Sequence, residues 1–158
     1  MAIPHPPPIS QHERTTRSAV IVLHGTVENV FRLFGPVREK LWAEGWDPEI
    51  LAGDGEVEEH MVFRTSPRYP DERHYLWIVS KYHPEKFFIE YTVVTSERVW
   101  FVTVSCAGSK GETHATISYS YSAWSSAAIQ RNKDAARQMF AHELKDWEAA
   151  INEYLGKN

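Results

Sequence analysis

The chain has 158 residues, with 42% hydrophobic and 24% charged side chains, the size and composition of one globular domain able to bury a core. Its net charge of -4 argues against a nucleic-acid or anionic-membrane partner, and no apolar run approaches the roughly 20 residues that span a bilayer. A single cysteine, Cys106, excludes an internal disulfide and fits a reducing, cytoplasmic setting.

Residues 1–11 are proline-rich and are expected to form a flexible arm ahead of one domain over 12–158. The start also lacks the basic and apolar segments of a signal peptide. From His12 to Leu23 the chain gains β-branched residues, and "SAVIVLHG" reads as the end of a first strand. Thr26 then suits an N-cap, with Val27, Val30, Phe31 and Phe34 at helical spacing. Gly35-Pro36 breaks that helix, and "PVREKLWAEG" is expected as a second short helix stopped by Gly45.

Beyond residue 47 the period changes to two. "DPEILA" is a weak strand candidate, and stronger ones cover 58–65, 72–82, 86–94, 98–107 and 113–124. The separators "SPRYPD", "HPE", "TSE" and "GSKGE" are turn-forming and short, as in an antiparallel meander. One long helix closes the chain at about 127–155, capped by Ser125 or Ser126 and stopped by Gly156. Its apolar stripe runs through Ile129, Ala136, Met139, Phe140, Leu144, Trp147, Ile151 and Tyr154. The expected class is α+β: a curved antiparallel sheet of six or seven strands wrapped around that helix, with two short helices after the first strand.

This order of elements resembles the helix-grip fold of the START/Bet v 1-like (SRPBCC) superfamily. "VFRLFGPVREKLWAEGWDPEIL" (30–51), "MVFRTS" (61–66), "YLWIVSKYHPE" (75–85) and "FAHELKDWEAAINEYL" (140–155) look most like its bacterial polyketide cyclase/dehydrase-like members. The resemblance covers nearly everything from Ser18 onward. His83 departs from it, since relatives often carry an acidic residue there, which alters a surface turn. The resemblance implies a cavity between sheet and helix that takes a small hydrophobic or aromatic molecule. It brings no universal catalytic residue.

Alternation assigns the inward faces. Phe87, Ile89, Tyr91 and Val93 share one side of their strand, as do Trp100, Val102, Val104 and Cys106 of the next. Ser118, Ser120 and Ser122 suit solvent, which turns Tyr119 and Tyr121 inward. Along 72–82 either Tyr75, Trp77 and Val79 or Leu76, Ile78 and Tyr82 face the core. The candidate lining is therefore Trp77, Tyr91, Trp100, Val102, Tyr119 and Tyr121 from the sheet, with Met139, Phe140, Glu143 and Trp147 from the helix. Trp42 and Trp46, too large for a short helix to bury alone, are expected to close one end of the cavity.

Glu143 is the candidate catalytic residue. It lies three after Phe140 and four before Trp147, and a carboxylate buried on that face would suit general acid or base chemistry. At the edge of the stripe it would instead reach solvent or pair with an arginine. No metal is expected: "HELKD" (142–146) begins like a zinc-protease helix but has Asp146 at the second histidine position. His24 and His60 read as surface residues, and Cys106 has no activating neighbour. No phosphate loop, nucleophile elbow or dinucleotide fingerprint is present, so no cofactor is expected. Three functions fit: a binder of a small hydrophobic or aromatic molecule, as a monomer or homodimer; a cofactor-independent cyclase or dehydratase; and a co-chaperone-like interaction module.

Overall fold

The computed structural model describes residues 12–158, and the expected arm at 1–11 lies outside the described residues. Strand β1 (Glu13–Leu23) leads into helix α1 (Val27–Phe31), where the Thr26 hydroxyl accepts from the Asn29 amide. Val30 and Phe31 are buried, and a 3-10 turn (Arg32–Phe34) buries Leu33 and Phe34. The second expected helix is shorter than its pattern suggests, a 3-10 turn over Arg38–Leu41. The indole N–H of Trp42 donates to the Leu33 carbonyl at 2.8 Å, and that of Trp46 to the Pro36 carbonyl at 2.7 Å. These bonds hold the chain curled so that both rings point inward, and a φ of +78° at Gly45, a conformation that favours glycine, completes the reversal.

Six further strands follow: β2 (Glu49–Ala52), β3 (Val62–Thr65), β4 (Tyr75–His83), β5 (Phe88–Val94), β6 (Arg98–Ser109) and β7 (Glu112–Ala123). They join β1 in one antiparallel sheet of order β1-β7-β6-β5-β4-β3-β2. Lys110 and Gly111 both have positive φ, the two-residue turn that matches strand twist between β6 and β7. On the outer face the serines form a hydroxyl ladder, Thr16 to Ser120 at 3.0 Å and Ser18 to Ser118 at 2.6 Å, and Tyr119 and Tyr121 turn inward.

In β4 the core takes Tyr75, Trp77 and Val79. A register shift between Val79 and Lys81 then swaps the faces, so Tyr82 also turns in and stacks on Phe31 at 6.3 Å. Neither face of simple alternation describes the whole strand. The described strand β3 starts at Val62, four residues later than its sequence candidate, because His60 has a φ of 71° that no extended strand accommodates.

The C-terminal helix comprises α2 (Ser126–Gln138), a π-turn (Met139–Glu143) and α3 (Leu144–Lys157). Ser125 caps it, accepting from the Ala128 amide. The helix continues through Gly156 instead of stopping there. In its first half the buried positions are Ala128, Asn132 and Ala136; Ile129 is only partly covered. Along β1, Glu148 accepts from the Val22 amide at 2.8 Å, while Asn152 accepts from the His24 amide and donates to the Val22 carbonyl. Helix side chains thus satisfy the free edge of the sheet, a common answer to exposed strand edges. No helix among the described residues is long and apolar enough to cross a membrane.

Candidate ligand-binding site

The sheet and the helix do not meet everywhere. A cavity of about 440 Å³, within the usual size of small-molecule sites, lies between them. Its walls include Trp77, Trp100, Tyr119 and Tyr121 from the sheet and Ala135, Met139, Glu143 and Trp147 from the helix. A smaller chamber of about 100 Å³ lies deeper, walled by Phe34, Trp42, Phe63, Tyr91 and Val102 among others. Trp46, Trp77, Tyr119 and Trp147 line both spaces.

The π-turn explains the helix wall. Ala135, Met139, Glu143 and Trp147 are spaced by four, and in an unbroken α-helix that spacing drifts by about 40° per step, or about 120° in all. The Leu144 amide bonds to the Met139 carbonyl five residues back, which accommodates one extra residue and takes back about 100°. All four side chains therefore face one space.

Eleven of the sequence candidates reach one space or the other; Trp42 and Trp46 sit at the inner end, with Trp42 edge-on to Trp147 at 5.8 Å. Phe140 lines neither. It packs edge-on against Tyr119 at 6.0 Å and lies under the Arg17 guanidinium at 5.0 Å, because the π-turn leaves its face to Met139. Glu143 is not an isolated buried carboxylate: its side chain is 27% exposed and accepts from Arg68 at 2.9 Å. Arg68 belongs to the β3–β4 connection, so the pair links that connection to the helix beside the outer cavity.

Polar groups missed by hydrophobic patterning complete the outer wall. Arg98, 2% exposed, donates through Nε and Nη2 to both oxygens of Glu72, each at 2.9 Å, and through Nη1 to Asn132 at 3.2 Å. Burial opposes ionisation of Glu72, but the hydrogen bonds from Arg98 and Tyr75 and the nearby guanidinium charges outweigh it and hold its pKa low. The guanidinium also lies 4.5 Å from the Trp100 ring centre. Strand parity carried a signal for this residue, since Arg98 shares a face with Trp100 and Val102.

Glu39 was also missed. It lines the inner chamber, and its carboxylate makes no hydrogen bond or ion pair among the described residues. Burial alone pushes its pKa well above the usual 4.5. The signal was its position three before Trp42 and seven before Trp46, which places it with the inward rings. The hydroxyls of Tyr119 and Tyr121 likewise make no hydrogen bond among the described residues, although both residues are at least 95% buried. Burial raises both phenols, with neighbouring acidic groups adding to it, so they remain neutral donors at physiological pH. Cys106 is buried, which pushes its thiol up to about 12 and leaves it unreactive. Among the described residues no three His, Cys, Asp or Glu side chains gather as a metal site.

No family model matches this sequence, and no curated protein matches it. Solved structures do. Norcoclaurine synthase from Thalictrum flavum superposes with a TM-score of 0.72 at 12% identity, covering 100% of this chain and 96% of that one. Ara h 8.0201 gives 0.65 at 13%, covering 92% and 100%. An uncharacterized protein from Rhizobium leguminosarum gives 0.63 at 15%, covering 94% and 100%. Identities this low speak to architecture, and by architecture the chain has the helix-grip fold of the START/Bet v 1-like superfamily.

Proposed function

We propose that this protein binds a small aromatic molecule in the cavity between the sheet and the C-terminal helix. The observation that carries the reading is the pair of hydroxyls on Tyr119 and Tyr121, unpartnered among the described residues, in a cavity whose walls also carry six other aromatic rings. These hydroxyls open onto the cavity space, where a bound ligand with one or two oxygens or nitrogens can pair with them. The surrounding tryptophans supply apolar area and ring edges for stacking. One structural neighbour, norcoclaurine synthase, is known in complex with dopamine and hydroxybenzaldehyde, which is support by analogy of fold.

Glu143 serves this reading as a mouth residue. Its ion pair with Arg68 ties the β3–β4 connection to the helix, and as a partly exposed pair it lacks the isolation that marks a general base. The test is native mass spectrometry of freshly purified protein together with thermal shifts across a library of neutral and charged aromatics. A carried-over small molecule, or shifts that disappear when Tyr119 and Tyr121 are both changed to Phe, is the expected result. No carried-over mass and no shift across the whole library would overturn the reading.

A further inference from the structure

The inner chamber differs from the cavity in front of it, and its chemistry narrows the ligand. Four of its polar donors are already committed, while the Tyr119 hydroxyl and the Trp147 indole N–H, which also line it, make no hydrogen bond among the described residues. The Tyr91 hydroxyl donates to the Phe34 carbonyl at 2.6 Å, and the Trp42 and Trp46 indoles to the Leu33 and Pro36 carbonyls. The Trp77 indole donates to the Thr65 hydroxyl at 2.9 Å. Glu39, partly exposed as a residue, lines the same space and accepts no hydrogen bond among the described residues.

The rings themselves are set as walls of a box. Trp46 meets Trp77 at 87°, Trp77 meets Tyr91 at 81°, and Trp42 meets Trp147 at 65°. In each such pair the edge of one ring meets the face of the other, Phe63 also stacks on Trp77 at 14°, and a ring face left open to the enclosed volume attracts a cation. A neutral hydrogen-bond donor would satisfy one oxygen of Glu39 but gain nothing from those faces. An ammonium satisfies both requirements together.

We infer that the inner chamber is an aromatic cage with Glu39 as its counter-ion, and that the ligand is a small aromatic amine whose cationic nitrogen enters the chamber while its ring stays in the outer cavity. The inference rests on the binding reading above and sharpens it. A volume of about 100 Å³ is a few water volumes, room for an ammonium head and not for an extended polar group. The raised pKa of the unliganded carboxyl agrees, since it reports a carboxylate poorly stabilised until a cation arrives. Tyr91 from β5 and Tyr119 from β7 are the titratable groups beside it, while Arg68 and Glu143 line the outer space.

The experiment compares matched pairs by isothermal titration: phenethylamine against 2-phenylethanol, and tryptamine against tryptophol. The native protein is expected to prefer each amine by at least about tenfold. Glu39→Gln is expected to reduce that preference to within about twofold while leaving the alcohols' affinity little changed. If the Gln variant does not fold, as judged by circular dichroism, Glu39→Asp takes its place and is expected to weaken the amines selectively. In the native protein, the methyl protons of trimethylated phenethylammonium are expected to shift upfield from ring currents. Equal affinity for amines and alcohols would overturn the inference while leaving aromatic binding intact. So would a preference that Glu143→Gln removes and Glu39→Gln does not, which would put the amine at the mouth. If no probe binds but neutral aromatics from the library do, the cage is again overturned and the broader reading stands. Silence from every probe and from the library removes both.

Discussion

Glu72 and Glu39 both face inward, and their surroundings could hardly differ more. Glu72 receives two bonds from Arg98 and one from the Tyr75 hydroxyl, and the set is anchored to the helix through Asn132. Glu39 has no such partner among the described residues and lines an aromatic chamber. The first has its pKa lowered against the effect of burial; the second has its pKa raised by burial alone. A buried charge satisfied by the protein holds the fold together, whereas one left unsatisfied is a position where stability is given up, and such positions concentrate at binding sites.

The largest expected effect comes from breaking the satisfied pair. Arg98→Leu would strand Glu72 and is expected to cost about 3–5 kcal/mol in urea unfolding. The double variant with Glu72→Leu should recover much of that loss, since neither charge is then left alone. Equal losses in single and double variants would show that the pair is not coupled as the geometry states.

Glu39→Gln should act in the opposite sense, stabilising the unliganded protein by about 1 kcal/mol at pH 8. The sign follows from linkage. A carboxyl with a raised folded pKa contributes full stability below the unfolded value near 4.5 and loses it as pH rises through the folded value. The variant's advantage should therefore vanish by pH 4. Glu72 behaves in reverse: its contribution is complete above 4.5 and is lost as pH falls through its lowered folded value. Urea titrations of native protein and Glu39→Gln between pH 3 and 8 would separate the two, because only the neutral-side slope should flatten in the variant. A native protein whose stability rises steadily from pH 5 to 8 would contradict the unpaired Glu39.

The smallest effect belongs to Glu143→Gln. Its pair with Arg68 is partly exposed, so the expected cost is about 0.5 kcal/mol and should shrink further in high salt. A loss of several kcal/mol would place Glu143 in the same class as Glu72.

Much of the architecture was legible in the chain. The period-two runs located the long strands, and the serine-rich side of β7 correctly predicted which way Tyr119 and Tyr121 face. Parity failed at one place for a definite reason: the bulge at Ser80 exchanges faces in mid-strand, and nothing in "WIVSKY" marks it. Glu143 drew attention because it lies on an apolar stripe, but its arginine comes from a connection 75 residues away in sequence. Glu39 was passed over among exposed, charged neighbours, although its spacing to Trp42 and Trp46 placed it with them.

Alternation, capping and turn chemistry are properties of a few consecutive residues, so the inward faces of β5, β6 and β7, a serine cap at 125 or 126 and the approximate span of the final helix followed from the sequence alone. Whether a buried carboxylate meets a guanidinium or faces only rings depends on segments brought together from Glu39, Tyr91, Tyr119 and Trp147, or from Glu72, Arg98 and Asn132. The π-turn and the volume left between helix and sheet also arise only when those surfaces pack. Electrostatic energy in a low-dielectric interior is set by distance in space, and distance in space is what folding decides.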